Sequence, residues 1–172
     1  GAFQINNAAI ATTLFLLWRQ RVQPRESAGR IEAAIRAGLR EVRWPGRLEV
    51  IRQQPLTVID VGHTPDGVRQ SLASLTAIHG ADGWILVTGA SRGIGYAAGL
   101  EAARRGAHVI AVARTVGGLE DLDDAIQALG GSTTLVPLDL RDGEAIDRLG
   151  AAIFERWGHL DGLIANAGQL GV

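Results

Sequence analysis

The segment Ile85-Leu-Val-Thr-Gly-Ala-Ser-Arg-Gly-Ile-Gly95 constrains the fold more than any other part of this chain. An apolar strand runs into glycines at 89, 93 and 95, and a helix pattern opens directly behind them. The order has a physical reason. One glycine permits the tight turn and another lets the backbone approach a pyrophosphate closely. The helix N-terminus then presents unpaired N–H groups and a positive dipole end to phosphate oxygens.

The rest of the C-terminal half keeps the same alternation. Strand 84–87 precedes helix 94–105, strand 108–113 precedes helix 118–129, and strand 134–138 precedes helix 142–157. A last strand covers 163–165. Strands separated by helices imply βαβ units and a parallel sheet with helices on both faces. The expected fold class is therefore α/β, a Rossmann-like doubly wound sheet. An α/β segment precedes it, with the boundary at Gly80-Ala81-Asp82-Gly83 dividing the chain into residues 1–80 and 81–172.

Within that first segment, Asn6 to about Arg21 is apolar on most sides and predicts a buried helix. Its run from Ala8 to Trp18 is too short to span a bilayer and no basic region precedes it, so neither a membrane segment nor a signal peptide is expected. Gln23–Glu26 breaks the pattern. Ser27 is placed to cap a helix carrying Ile31, Ile35 and Leu39. Trp44-Pro-Gly-Arg47 is a turn, 48–52 and 56–61 are short strands, and Thr64-Pro65 caps a helix with Val68, Leu72, Leu75 and Ile78 on one face, ending at Gly80.

Composition excludes some functions. A formal net charge of -1 gives no electrostatic reason to expect nucleic acid or an anionic membrane as partner. The absence of cysteine rules out disulfides and thiolate metal sites, and fits a cytoplasmic protein. No metal site is expected. The chain has no methionine, begins inside a helix-like pattern and ends at Gly171-Val172 behind a strand. Both ends are therefore expected to be cuts.

With these residues in place, the chain resembles the short-chain dehydrogenase/reductase family. Thr88, Gly89, Ser91, Arg92, Gly93, Ile94 and Gly95 match its Thr-Gly-x-x-x-Gly-x-Gly spacing position by position. Asp139, in Pro137-Leu-Asp-Leu140, sits where the family sets an aspartate against the adenine. Asn166, Ala167 and Gly168 resemble its Asn-Asn-Ala-Gly segment, which supports the sheet and lines the cofactor, with Ala165 in the first position. The resemblance covers about half the chain and implies a nicotinamide dinucleotide as cofactor.

Charge separates the two dinucleotides. An NAD site commonly places a carboxylate at the end of the second strand for the ribose 2′-hydroxyl. That strand here ends Val112-Ala113-Arg114-Thr115. Arg92 and Arg114 suit a 2′-phosphate, which favours NADP over NAD; otherwise they are two solvated surface arginines. The family's catalytic serine, Tyr-x-x-x-Lys pair and helical asparagine lie beyond the Asn-Ala-Gly segment. The single tyrosine, Tyr96, has no lysine four residues later. No catalytic residue is carried over, and cofactor binding without turnover is expected.

Residues 1–80 are similar to another family, the folylpolyglutamate/dihydrofolate synthases among the Mur ligases. The similarity lies in Trp44-Pro-Gly-Arg-Leu-Glu-Val-Ile51 and Val58-Ile-Asp-Val-Gly-His-Thr-Pro65, with Gly62 and Thr64 departing from the family's Asp-x-Ala-His-Asn-Pro. The start, Gly1–Ala8, resembles the end of that family's ATPase domain, with Phe3 where histidine is usual. The resemblance implies an ATP remnant: Asn7 at the adenine, Arg47 at the phosphates, Asp60 and His63 near the ribose and the domain junction. On their own, Asp60 and His63 are a strand end and a capping loop. The family's Gly-Lys-Ser/Thr phosphate loop is absent.

The leading expectation is a chimeric or doubly truncated chain. Its rivals are an oxidoreductase completed by further chain, an ATP-dependent ligase fragment, and a non-enzymatic nucleotide-binding module. An exposed strand edge at 163–165 is expected to drive self-association unless residues 48–61 cover it.

Overall fold

A computed structural model describes residues 2–22, 26–80 and 83–168. The expected chain break at 23–25, Ala81 and Asp82 of the expected boundary, and the Gly171-Val172 end lie outside the described residues. The chain divides into two compact units, Gly1–Val61 and Gly62–Val172.

In the first unit, α1 (Ala2–Val22) and α2 (Ala28–Glu41) precede a hairpin of β1 (Glu49–Gln53) and β2 (Leu56–Ile59). The expectation of a buried first helix is overturned. Ile5, Ile10, Leu14, Leu17 and Trp18 are all more than half exposed, and Arg19 is the buried residue among those described on α1. The reason is geometric. Apolar side chains surround α1, so no single partner can cover them, and α2 meets it on one side through Ile31 and Ile35 beside Leu16. Ser27 stands at the N-cap of α2 as expected, yet its side chain makes no capping bond. β1 and β2 pair antiparallel with each other as a separate two-stranded sheet, so residues 48–61 do not extend the larger one.

The second unit opens with α3 (Pro65–His79). Thr64 Oγ1 accepts the Gly67 N–H at 3.1 Å with proline at the first position, as the sequence predicts. Val68, Leu72 and Leu75 are partly buried, whereas Ile78, expected on the same face, is exposed. Arg105 Nη1 donates to Thr76 Oγ1 at 3.3 Å, tying α3 to the end of the helix that follows the glycine loop.

The remaining elements are β3 (Trp84–Thr88), α4 (Gly93–Arg104), β4 (His108–Ala113), α5 (Val116–Gln127), β5 (Thr133–Pro137), α6 (Gly143–Trp157) and β6 (Gly162–Ile164). They alternate as read from the sequence, with ends shifted by one or two residues. All strand pairs in this sheet are parallel, in the order β5-β4-β3-β6. The order reverses between β4 and β6, on either side of β3, and ligands of such sheets bind at that switch point.

Alternation along the strands makes two cores. Val87, Val109, Ala111 and Ala113 pack with Leu119, Leu122 and Ile126 of α5 and the alanines of α4 on one face. Leu86, Ile110 and Val112 pack with Ile153 of α6 on the other. Helices thus cover both faces of an α/β, Rossmann-like parallel sheet. Small residues let α4 approach closely: a Cβ on Gly99 would meet Leu122 Cδ2 at 3.2 Å.

Candidate functional site

Thr88, at the carboxyl end of β3, organises the switch point. Its side chain is buried, and Oγ1 accepts the N–H groups of Asn166 and Ala167, each at 3.0 Å, while donating toward Ile164 O at 3.4 Å. Asn166 answers from the other side. Its Nδ2 donates to Thr88 O at 3.3 Å and to Gly89 O at 3.5 Å. The glycine loop and the 166–168 segment, nearly eighty residues apart in the chain, are one bonded unit.

That unit explains two of the glycines. Gly89 has φ 67°, a left-handed conformation, and a Cβ there would stand 3.0 Å from both Ala167 Cα and Asn166 Nδ2. A Cβ on Gly95 would overlap Gly89 O and reach within 2.6 Å of Asn166 Nδ2. Gly93 differs. Its φ is 60°, and a Cβ there would face open space. The loop is sealed inward at 89 and 95 and open outward at 93.

α4 begins in this opening. Arg92 occupies its N-cap in an extended conformation and contributes no side-chain capping bond. The first N–H groups of a helix have no intrahelical partners, so those of α4 are left to another acceptor. Thr64 and Asp142, by contrast, cap α3 and α6 with their own side chains. Ala90 N–H donates to Val112 O at 3.2 Å, holding the loop against the end of β4. A Cβ on Gly118 would lie 2.5 Å from Ser91 O, so the loop also sits against the first turn of α5. Ser91 and Ile94 are partly buried and Arg92 is exposed.

Arg114 follows β4 and is exposed; Asp139 lies two residues beyond the end of β5. Ala113 pairs with Pro137, and Leu138 N–H donates to Ala113 O at 3.0 Å, so Arg114 and Asp139 both follow the carboxyl ends of neighbouring strands, Asp139 one residue further along. The structure adds a partner that motif spacing did not reveal, Arg141. Its Nη2 meets Asp139 Oδ2 at 2.6 Å, its Nε lies 3.1 and 3.2 Å from the two oxygens, and its backbone N–H donates to Oδ1 at 3.1 Å. These bonds, aided by the charge of Arg114, hold the Asp139 carboxyl down at about 2. The Asp-x-Arg spacing at 139–141 was the legible signal. Among the described residues, Arg92 and Arg114 have no carboxylate within ion-pair distance.

The residues assigned to an ATP remnant are more scattered. Asn7 is exposed on α1, and Arg47 is exposed in the turn before β1. Asp60 follows β2, and its Oδ2 accepts the Leu48 N–H at 3.0 Å, which brings it to the turn carrying Arg47. His63 is exposed and belongs to the second unit. Among the described residues, no group of three or more His, Asp or Glu side chains is placed to hold a metal ion, and no helix is long and apolar enough to cross a membrane.

Comparison with known proteins places the similarity on the second unit. The short chain dehydrogenase family profile matches residues 83–172. The chain is 46% identical over 84 residues to a fatty acyl-CoA reductase of Acinetobacter baylyi, covering 49% of this chain and 28% of that protein. A fatty acyl-CoA reductase of Mycobacterium tuberculosis is 46% identical over 85 residues, covering 49% and 29%. Among solved structures, a metagenomic short-chain oxidoreductase in complex with NADP is 36% identical, with 50% of this chain and 39% of that one covered at a TM-score of 0.49. The matched part thus spans less than a third of these curated relatives' length.

Proposed function

The chain belongs to the short chain dehydrogenase family through residues 83–172, and from that premise we propose that residues 84–168 form the NADP(H)-binding segment of an oxidoreductase. The observation that carries the reading is the glycine loop. It is closed against Asn166 and Ala167 on its inner side and open at Gly93, in front of a helix N-terminus without a side-chain cap. An open cradle of N–H groups at a positive dipole end suits a pyrophosphate.

In this reading Gly89, Ser91, Gly93, Ile94 and Gly95 hold the pyrophosphate, Thr88 with Asn166–Gly168 supports the sheet and lines the cofactor, and Asp139 lies at the adenine. Arg92 and Arg114 select the 2′-phosphate. Both guanidinium groups are exposed and unpaired with carboxylates among the described residues, and the close packing of Ser91 on Gly118 sets their two segments side by side. A bound nicotinamide dinucleotide supplies hydride transfer; these residues bind and orient it. No catalytic side chain is assigned among the 172 residues, so the reading covers binding and not turnover.

Titration of the chain with NADPH, NADH and ATP, followed by fluorescence or calorimetry, tests the reading. NADPH is expected to bind more tightly than NADH. The double variant Arg92→Ala/Arg114→Ala is expected to weaken NADPH by about 10- to 100-fold, with a smaller effect on NADH, as for the loss of two charge-assisted contacts. Binding of ATP alone would sink the reading.

A further inference from the structure

We propose that the open side of α1 docks reversibly on an anionic lipid surface, through its exposed apolar row and the unpaired arginines of the first unit. The inference concerns residues 1–61 and does not rest on the reading of residues 84–168 as an NADP(H) site.

α1 has two unlike sides. Ala8, Thr12, Phe15 and Arg19 are partly or fully buried and recur at helical spacing, so they share one side. Arg19 pairs there with Glu26 at 3.0 Å, just ahead of α2. Ile10, Leu14, Leu17 and Arg21 repeat the same spacing two residues later, which sets them about 200° round the helix. All four are exposed, the apolar three by more than half, and Trp18 borders them. The row runs for roughly 16 Å of helix axis, about half the thickness of a bilayer's hydrocarbon core. It suits a helix lying in the interface and not one crossing it.

Charge selects the occupant. The formal charge of -1 for the whole chain conceals an uneven distribution. Residues 1–61 carry nine arginines against five carboxylates, and residues 62–172 carry eight against thirteen. α1 itself has no acidic residue. Among the described residues, Arg21, Arg40, Arg43, Arg47 and Arg52 have no carboxylate within ion-pair distance. An apolar row bordered by cations fits the boundary between acyl chains and anionic headgroups, where an indole such as that of Trp18 also belongs. A second copy of the chain fits less well. Pairing α1 with its own copy joins two arginine-bearing helices with no carboxylate on either.

The test uses the full chain and vesicle flotation, with vesicles of phosphatidylcholine alone or of phosphatidylcholine and phosphatidylglycerol in equal parts. Binding to the anionic vesicles is expected to be at least about tenfold tighter than to the neutral ones, and to weaken as salt rises. Arg21→Gln is expected to weaken anionic binding by about fivefold and to leave neutral binding unchanged. Leu14→Gln/Leu17→Gln is expected to lose binding to both vesicles with an unchanged circular dichroism spectrum, because both side chains are exposed in the folded chain. Leu163→Lys alters the other exposed apolar surface and is expected to bind at least as well as the wild type. Equal affinity for the two vesicles, or binding to neither, overturns the proposal. So does a loss in Leu163→Lys that the Leu14/Leu17 variant does not share, which assigns the binding to the sheet edge. If the Leu14/Leu17 variant instead lowers the sedimenting mass without lipid while the wild type ignores vesicles, the row joins two copies of the chain and the proposal fails.

Discussion

At the scale of single residues, Thr88 does more than match a motif. Its hydroxyl satisfies two backbone N–H groups of the Asn166–Gly168 segment and donates toward a third chain position. Valine has nearly the same shape and none of these bonds. Thr88→Val is expected to cost about 1–3 kcal/mol, the penalty for leaving partly buried donors unsatisfied, whereas Thr88→Ser should lose about 1 kcal/mol or less. Urea unfolding of the two variants measures the difference; equal stability would show that the bonds do not tie the loop to the segment. Each partner of Thr88 was legible as a residue type, since Thr88 and Asn166 belong to recognisable segments. Their bonding was not, because a pairing across nearly eighty residues leaves no local periodicity. Arg141 was missed for the opposite reason: its partner is so near in sequence that the pair looks like an ordinary charged turn.

At the scale of elements, the sheet is bolted to α6 by aromatic contacts far from the glycine loop. Trp84, at the start of β3, stacks on Trp157 with ring centroids 4.8 Å apart, and His108, at the start of β4, packs edge-on to Trp84 at the same distance. His108 Nδ1 lies 2.7 Å from Ser132 Oγ and Nε2 lies 2.9 Å from Thr134 Oγ1, joining β4 to β5. Burial, with the nearby charge of Arg156, lowers the His108 pKa below 6.5. The folded state therefore binds fewer protons than the unfolded chain just below that value. The resulting stability is present above pH 6.5 and is lost as pH falls through the lowered pKa. Unfolding free energies measured from about pH 7.5 to about pH 5.5 should decline for the wild type and decline less for His108→Gln. Parallel slopes for the two proteins would remove His108 as the cause. The elements themselves followed from periodicity, but this cluster did not. Trp84, His108 and Trp157 are brought together by strand register and by where α6 lands.

For the whole molecule, the sheet as described ends on β6, where Leu163 is 61% exposed. β1 and β2 pair with each other as a two-stranded sheet of their own. An exposed apolar edge strand is a template for pairing with another chain. We expect the chain to self-associate, visible by sedimentation velocity as mass above one chain, and Leu163→Lys to shift it toward monomer. A monodisperse wild-type monomer at the highest attainable concentration would refute this. The two-unit organisation shows the same limit of pattern reading. A break near Gly80 is visible in the turn residues; that α3 stands in the second compact unit, with Thr76 bonded to Arg105 at the end of α4, is not.

By itself the sequence determined the α/β alternation, the cap at Thr64, and the glycine loop that opens α4. These are set by local rules: side-chain period, backbone freedom and the needs of a helix terminus. Only the tertiary structure decided which apolar surfaces are covered. Leu119, Leu122 and Ile126 find a sheet face, whereas the equally apolar Leu14, Leu17 and Trp18 remain exposed. Hydrophobic periodicity states how strongly a surface should be removed from water. It does not specify which partner is close enough to remove it, and the same holds for charge: among the described residues Arg141 has a carboxylate partner, whereas Arg92 and Arg114 do not.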